Sequence, residues 1–517
     1  MENLYLLLVI VLAVLAIGDL IVGVSNDAVN FLNSAVGSKA ISLRTIMILA
    51  GLGVAFGAFF SSGLMEVARK GIFNPGEFYF DEIILIFTAV MLTDILLLDF
   101  FNTLGMPTST TVSIVFELLG AAVFMSLIKI TSSSGEISDL INYINTSKAI
   151  QIISGIVLSI IVALTVGAIV QWICRIFLTY EFEKKPLWVS VLFSGIALSA
   201  ISYFILMKGI KGTPWAGLKF DIIGGMKIKD FIELEVLKVS ILNFVFWCGL
   251  SYSLIKFFKA NIYKVIIGIG TFALALAFAG NDLVNFIGVP IAAYQSYEAW
   301  ISSGVNASQF SMEAMSAKVP TPAAFLILSG LVMVLTLWFS SKARKVMKTE
   351  LDLSNQGYIK ERFQPSLFSK FIVKFFQKIS VILEGLLPEK LKKKIELQFS
   401  GSADQKKFVN DPEAPSFDML RACVNLAVAS ILISIATSYK LPLSTTYVTF
   451  MVAMGTSLAD RAWGRDSAVY RVSGVISVIA GWFLTAITAF IVSGIIVSLI
   501  HIGGFQAIAI ILFIILL

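Results

Sequence analysis

Two short patterns each occur twice in this 517-residue chain, and both carry groups able to handle ions. Asn26-Asp-Ala-Val-Asn-Phe31 is matched by Asn281-Asp-Leu-Val-Asn-Phe286, and Pro107-Thr-Ser-Thr-Thr111 by Pro442-Leu-Ser-Thr-Thr446. In the first pair, Asn, Asp and Asn fall at i, i+1 and i+4. In a helix the two amides would share a face, with the carboxylate beside them. Carboxylate and amide oxygens are hard ligands suited to hard cations. Asp27, Asn30, Asp282 and Asn285 are therefore the candidate cation ligands, for Na⁺ and no other metal. The plainer reading is a helix end capped by Asp and Asn at the water interface; a second copy of the pattern weakens it.

The second pair supplies hydroxyls. Proline lacks an N–H and disfavours helix in the residue before it, so each motif is expected to open a new helix. A helix start offers unpaired backbone N–H groups and a positive dipole end to an anion. Ser109, Thr110 and Thr111, with Ser444, Thr445 and Thr446, add donors without adding charge. Asn26 and Asn281 stand beside them as further anion ligands. Serines and threonines in membrane helices also bond back to their own carbonyls or hold helices together. Paired with the Asn-Asp motifs, the two hydroxyl runs point to a central oxyanion site. Asp19, Asp94, Asp99 and Glu117 are further carboxylates without counterparts in the second half: at an offset of 335, the last three align with Ala429, Ser434 and Val452. They could tune cation binding, carry a proton or lie at a wet boundary.

The elements that must position these residues are apolar. The chain is 57% apolar and 14% charged, against about 45–50% and about 25% in soluble domains. Long apolar runs recur from Leu4–Ile17 to Val472–Ile500, several near the ~20 residues that cross a bilayer. The last run could be one tilted span or a bent pair, and Ala507–Leu517 an interfacial or incomplete segment. The runs are continuous rather than alternating, which excludes a β-barrel. The expected fold is an all-α integral membrane protein of ten to twelve transmembrane or re-entrant segments. The first run lacks a preceding Lys or Arg and leads into functional residues, so it reads as a span rather than a cleaved signal peptide. Cys174, Cys248, Cys423 and the lone His501 show no metal-ligand or paired spacing.

The repeat is supported by order and distance. Asp27 to Pro107 is 80 positions and Asp282 to Pro442 is 160; removing the 76-residue basic segment 341–416 from the second leaves 84. Gly120 and Gly455 each follow their proline by thirteen. Charge suggests how the halves sit. Lys39 and Arg44 follow the first Asn-Asp motif, while no Lys or Arg follows the second until Lys318. After Pro107 the next thirty residues hold only Lys129, whereas Arg461, Arg465 and Arg471 follow Pro442. Equivalent loops thus carry opposite positive bias, which predicts an inverted-topology repeat. The division expected is a first repeat over 1–175, connecting helices over 176–260, the second repeat over 261–340 and 417–517, and a cytoplasmic basic loop over 341–416. That loop contains Lys390-Leu-Lys-Lys-Lys394, and Phe368–Leu387 could form an amphipathic, lipid-binding piece. The N-terminus is placed outside a cell membrane crossed many times.

These residues resemble the Pit-type inorganic phosphate transporters, a family that includes sodium-dependent symporters. The resemblance covers both halves, with signature regions Gly23–Ala40, which includes Gly37-Ser38-Lys39, and Ala279–Pro290. The family pattern reads Gly-Ala-Asn-Asp-Val-Ala-Asn. Here Val24-Ser25 and Ala279-Gly280 precede the Asn-Asp pairs, so only the Asn-Asp-x-x-Asn core is carried over. The resemblance implies an inverted repeat, a large cytoplasmic loop between signatures, and phosphate uptake driven by Na⁺ or H⁺.

The expected function is secondary active import of inorganic phosphate by cation symport through alternating access, with Na⁺ favoured over H⁺. Phosphate, the cation and the lipid bilayer are the expected partners; no nucleic acid and no cofactor are, and a homodimer is one option for the assembly. Rival readings are a sulfate or other oxyanion symporter, a passive anion channel, and a membrane enzyme acting on lipid phosphates. The enzyme would need a general base or metal cluster on one face.

Overall fold

The computed structural model describes residues 2–59, 61, 71–211, 217–219, 221, 224–316, 321–355, 364–367, scattered positions between 369 and 385, 388–399, 414–438, 443–461 and 468–516. The principal helices are α1 (Glu2–Asp27), α2 (Val29–Ser38), α3 (Leu43–Phe59), α4 (Phe80–Leu104), α5 (Thr110–Ser132), α6 (Thr146–Leu178), α7 (Leu187–Lys211), α8 (Val236–Phe258), α9 (Ile262–Ser303), α10 (Ala323–Phe339), α11 (Lys342–Ser354), α12 (Glu389–Phe399), α13 (Met419–Ser438), α14 (Thr445–Ala459) and α15 (Ala468–Leu516). Among the described residues the only extended pairings are three isolated bridges. Among the described residues, eight helices are long and apolar enough to cross a membrane, α1 and α2 counting as one. A ninth crossing is available if α10 and α11, bent by 67° at their junction, act as one broken span. With the shorter apolar helices α3 and Leu187–Tyr203, these fall within the expected range. The expected amphipathic piece Phe368–Leu387 lies mostly outside the described residues, as do Pro442, Lys318 and Arg465.

The helices are polar within and apolar without, as a hydrocarbon solvent requires. On α8 only Ser251 is buried. On α15, Phe483, Leu484, Ile487, Ile491, Ile495 and Leu499 face outward while Thr485 and Ser493 are buried. The final apolar run is helical, and the helix breaks at Gly504, at φ 55° and ψ −140°, where a second helix begins. The short tail therefore continues α15 beyond a kink.

Small residues let the central helices approach. α6 buries a single stripe, including Ser159, Ala163, Gly167, Gln171 and Arg175, at helical spacing, and lies along α14. In the same way α15 lies along α5. A methyl at Gly455 would stand 2.2 Å from the Leu164 carbonyl oxygen, and one at Gly120 2.1 Å from that of Phe490. The two glycines found thirteen residues after each proline are thus the points where backbones touch, the close packing that small residues permit between membrane helices.

Two groups of loops mark the ends of the bundle. Ser416 N–H bonds Gly37 O at 2.7 Å, Arg461 stands over the Phe399 ring at 4.9 Å, and Arg471 bonds the Asn355 carbonyl. This end gathers α2, α12, α15 and the basic segment. At the other group Phe80 N–H bonds Phe310 O at 3.0 Å, Tyr5 meets Phe80 and Trp300, and Lys129 bonds Glu77 O and pairs with Glu82 at 2.9 Å. That end gathers the N-terminus and the ends of α5 and α9.

Candidate functional site

All twelve candidate residues are at most 7% exposed, which excludes the wet helix end. The α1–α2 segment stays helical through the first Asn-Asp motif, since Ala28 keeps φ −55° and ψ −30°. The second motif lies within the 42-residue α9. The hydroxyl motifs open helices as expected. Ser109 caps α5, its Oγ accepting from Val112 N at 3.2 Å. Ser444 caps α14 by accepting from Tyr447 N at 3.1 Å. By helix geometry the amides of the first two residues, Thr110 and Thr111 in one helix and Thr445 and Thr446 in the other, lack an intrahelical acceptor.

The motifs meet in one reciprocal lattice. Thr110 Oγ1 donates to Asp27 at 2.8 Å, and Thr445 Oγ1 donates to Asp282 at 2.5 Å. Each aspartate also takes a threonine from the other half: Thr446 Oγ1 donates to Asp27 at 3.1 Å and Thr111 Oγ1 to Asp282 at 3.2 Å. Asn30 Nδ2 donates to Thr446 Oγ1 at 3.0 Å and Asn285 Nδ2 to Thr111 Oγ1 at 3.0 Å. Weaker contacts repeat the exchange, Asn30 with Thr445 at 3.5 Å and Asn285 with Thr110 at 3.4 Å. The four threonine–aspartate bonds and the four asparagine–threonine contacts pair off between the halves; Asn285 Nδ2 also reaches Asp282 Oδ1 at 3.3 Å, a contact Asn30 does not repeat. The two carboxylates stand near enough for direct electrostatic repulsion. The site thus brings two carboxylates together, and the donors seen on them are hydroxyls and amides.

The flanking asparagines behave differently. Asn26 Nδ2 donates to Asn102 Oδ1 at 2.7 Å and Met106 O at 3.3 Å, and its Oδ1 accepts from Thr108 N at 3.0 Å. It is engaged in holding the approach to α5. Asn281 Nδ2 reaches Asp282 Oδ1 at 3.1 Å and Leu443 O at 3.5 Å. Four supporting residues went unread in the sequence. Asn102 Nδ2 ties the end of α4 to Val22 O at 2.8 Å. Thr449, one turn after Thr445, donates to Asn30 Oδ1 at 3.3 Å. Trp482 Nε1 donates to Pro107 O at 3.0 Å while its ring stacks on Tyr447, and Thr485 meets Thr108 at 2.8 Å. Only Thr449 had a local signal, its position on the Thr445 face; the others depend on tertiary packing.

The unpaired carboxylates separate. Asp99 is half-exposed and pairs with Lys342, a wet boundary, whereas Asp19, Asp94 and Glu117 are fully buried.

A multi-pass helical bundle with a buried, pseudo-symmetric polar centre between its helices is the architecture of a membrane transporter. The profile of the phosphate transporter family matches residues 23–350, well over half the chain, and the chain belongs to that family. Its members are transporters, not enzymes. A relative from Thermococcus kodakarensis, provisionally named a phosphate permease, is 28% identical over 326 residues, 59% of this chain and 68% of the relative. One from Helicobacter pylori strain J99, named in the same way, is 25% identical over 277 residues, 52% of this chain and 48% of its own. A solved structure described as the sodium-dependent phosphate transporter superposes with a TM-score of 0.62 at 18% identity, covering 96% of this chain and 99% of that one. That likeness extends to the fold alone.

Proposed function

We propose that this chain imports inorganic phosphate by cation symport, with Na⁺ as the favoured coupling ion, and that the Asp-Thr-Asn lattice is where both are held. The reciprocity of the lattice carries the reading. Thr110, Thr111, Thr445 and Thr446 donate their O–H groups to Asp27 and Asp282, which closes those donors to an anion. A cation seated on the carboxylates would take hydroxyl lone pairs as ligands and leave the O–H groups free to donate to phosphate. Asn30 and Asn285 hold the hydroxyls in place, and the first amides of α5 and α14 complete the anion cradle. Ser109 and Ser444 keep an O–H each, and Asn281 borders the cradle. Asn26 positions the entry to α5. The sodium dependence in the name of the structural neighbour is consistent with this choice of ion.

Cation and anion are then interdependent, which is the requirement for symport. At ~100 mV each net positive charge moved inward contributes ~2.3 kcal/mol, or about 50-fold accumulation. Phosphate keeps a proton near neutral pH and can donate to a carboxylate. Sulfate cannot, and a buried acceptor left unpaired is costly.

Alternating access would follow from an inverted repeat. In support, the segment after the first Asn-Asp motif ends beside the basic loop, while α9, after the second, ends among the loops at Phe80 and Phe310. α5 and α14 likewise end in different groups. With the basic segment cytoplasmic, the N-terminus is outside the cell membrane. Uptake into proteoliposomes, with Na⁺, proton and voltage gradients varied separately, tests the whole reading. Labelled phosphate should accumulate with an inward Na⁺ gradient and negative interior, and excess sulfate should compete poorly. Uptake that ignores Na⁺ and follows protons removes sodium from the account; flux indifferent to every gradient removes symport.

A further inference from the structure

Three carboxylates form a second buried acidic group that the central site does not use. Asp19 on α1, Asp94 on α4 and Glu117 on α5 are each 0% exposed. Asp19 lies close to Asp94, and Asp94 close to Glu117. Among the described residues, the only donor seen bonding to them is Ser113 Oγ, which donates to Glu117 Oε1 at 2.6 Å. Both oxygens of Asp19, both of Asp94 and Oε2 of Glu117 have no hydrogen-bond donor.

Among the described residues, the surroundings supply no counter-charge. α1 brings Asp27 about 12 Å along its axis, eight residues at 1.5 Å each. α9 brings Asp282, which faces Asp27. α15 packs on α4 and α5 and offers hydroxyls: Ser493 donates to the Glu117 carbonyl at 2.9 Å. α10 carries no ionisable residue, and Lys342 of α11 is engaged with Asp99. Among the described residues no Lys, Arg or His is seen in a salt bridge or hydrogen bond with any of the three. Three like charges held close together, in a low dielectric and without a cation side chain, cannot all persist. Neighbouring carboxyl groups resolve this by sharing a proton between oxygens. A metal ion would need the oxygens to converge on one point, and no such group of three acidic side chains is found among the described residues.

We propose that Asp19, Asp94 and Glu117 form a proton-binding site distinct from the central lattice, holding at least one shared proton while the protein works. The site belongs to the first half only, since its α4 and α5 members align with Ala429 and Val452. It therefore breaks the symmetry of the centre. Its charge is felt at Asp27, so its protonation state adjusts cation binding there. The pH dependence of transport then has a component belonging to the protein, separate from the protonation of phosphate itself.

Infrared titration of the purified protein, without phosphate or Na⁺, reads buried protonated carboxyls, and the amide variants assign the band to this site rather than to Asp27 or Asp282. The expected result is a protonated-carboxyl C=O band at neutral pH, diminished in Asp94→Asn and in Glu117→Gln. The amide variants keep the side-chain shape, and either one alone carries the assignment if the other fails to fold. In proteoliposomes the ratio of Asp94→Asn to wild-type uptake should change several-fold across the pH range, a comparison that cancels phosphate speciation. Absence of the wild-type band at neutral pH overturns the proposal. So does a band unchanged in both variants, or a Na⁺-dependent gain in thermal stability at fixed pH that Asp94→Asn abolishes.

Discussion

At the scale of residues, the central lattice makes each threonine hydroxyl serve two partners, and this yields a sharp expectation. Replacing Thr111 or Thr446 by valine keeps the shape and removes the O–H. In the coupled mechanism that loses a hydrogen bond to a charged ligand, about 1.5–3 kcal/mol, so the phosphate KM in proteoliposomes should rise roughly ten- to hundred-fold. A KM unchanged in both variants would remove the hydroxyls from the anion site. The residue scale was also the most legible in the sequence. Asp27, Asn30, Asp282, Asn285 and the two Ser-Thr-Thr runs could be read because they recur, and recurrence needs no structure. Asn102, Trp482 and Thr485 could not, since each acts across 76 or more positions on a partner that only the packed bundle brings close. The anchoring role of Asn26 was hidden for the same reason. Its type matches Asn281, but its neighbours do not.

At the scale of elements, the glycines of α5 and α14 decide how closely the central helices pack. A Cβ at Gly120 or Gly455 meets backbone carbonyls of α15 or α6 near 2 Å, and backbone cannot yield as a side chain can. Gly120→Ala and Gly455→Ala should each destabilise by about 1–3 kcal/mol through overpacking, seen as a lower unfolding temperature in detergent. Gly249, whose added methyl meets nothing within 4 Å, should tolerate alanine and serves as the control. Element starts were readable, because proline and serine mark the openings of α5 and α14 by local backbone chemistry. Partners were not. That α6 lies on α14 and α15 on α5 follows from shape complementarity along small-residue stripes, which hydropathy does not encode. The basic segment read as a loop likewise contains the helix Glu389–Phe399, whose Lys-rich sequence favours helix without favouring burial.

At the scale of the whole molecule, a buried ionic cluster fastens the end that carries the basic segment. Asp460 follows α14 and accepts from Arg175 at 2.7 and 2.8 Å, from Arg421 at 3.0 Å and from Gln171 at 2.8 Å. Arg421 in turn donates to the Ser354 carbonyl at 2.7 Å, so α6, α11, α13 and α14 share one knot. Burial alone would raise the Asp460 carboxyl above the ordinary range, but Arg175 and Arg421 outweigh it and hold the group at about 2. A carboxyl held low stabilises the fold fully above its ordinary value and loses that contribution as pH falls toward 2. Asp460→Asn leaves two guanidinium groups short of a buried partner and should cost about 3–5 kcal/mol. In thermal unfolding across pH, the gap between wild type and variant should be level above about pH 4 and close below it. A gap that instead narrows on raising the pH would contradict the assignment.

The central claim joins these scales: cation and phosphate occupy one lattice and each makes room for the other. Linkage requires the effect to be mutual. The most direct measurement is phosphate affinity of the purified protein by equilibrium binding over a series of Na⁺ concentrations, repeated for Asp27→Asn and Asp282→Asn. The account predicts that phosphate binds more tightly as Na⁺ rises, that phosphate raises Na⁺ affinity by the same factor, and that each substitution flattens the dependence. A phosphate affinity that is the same with and without cation, in wild type and variants alike, would contradict it.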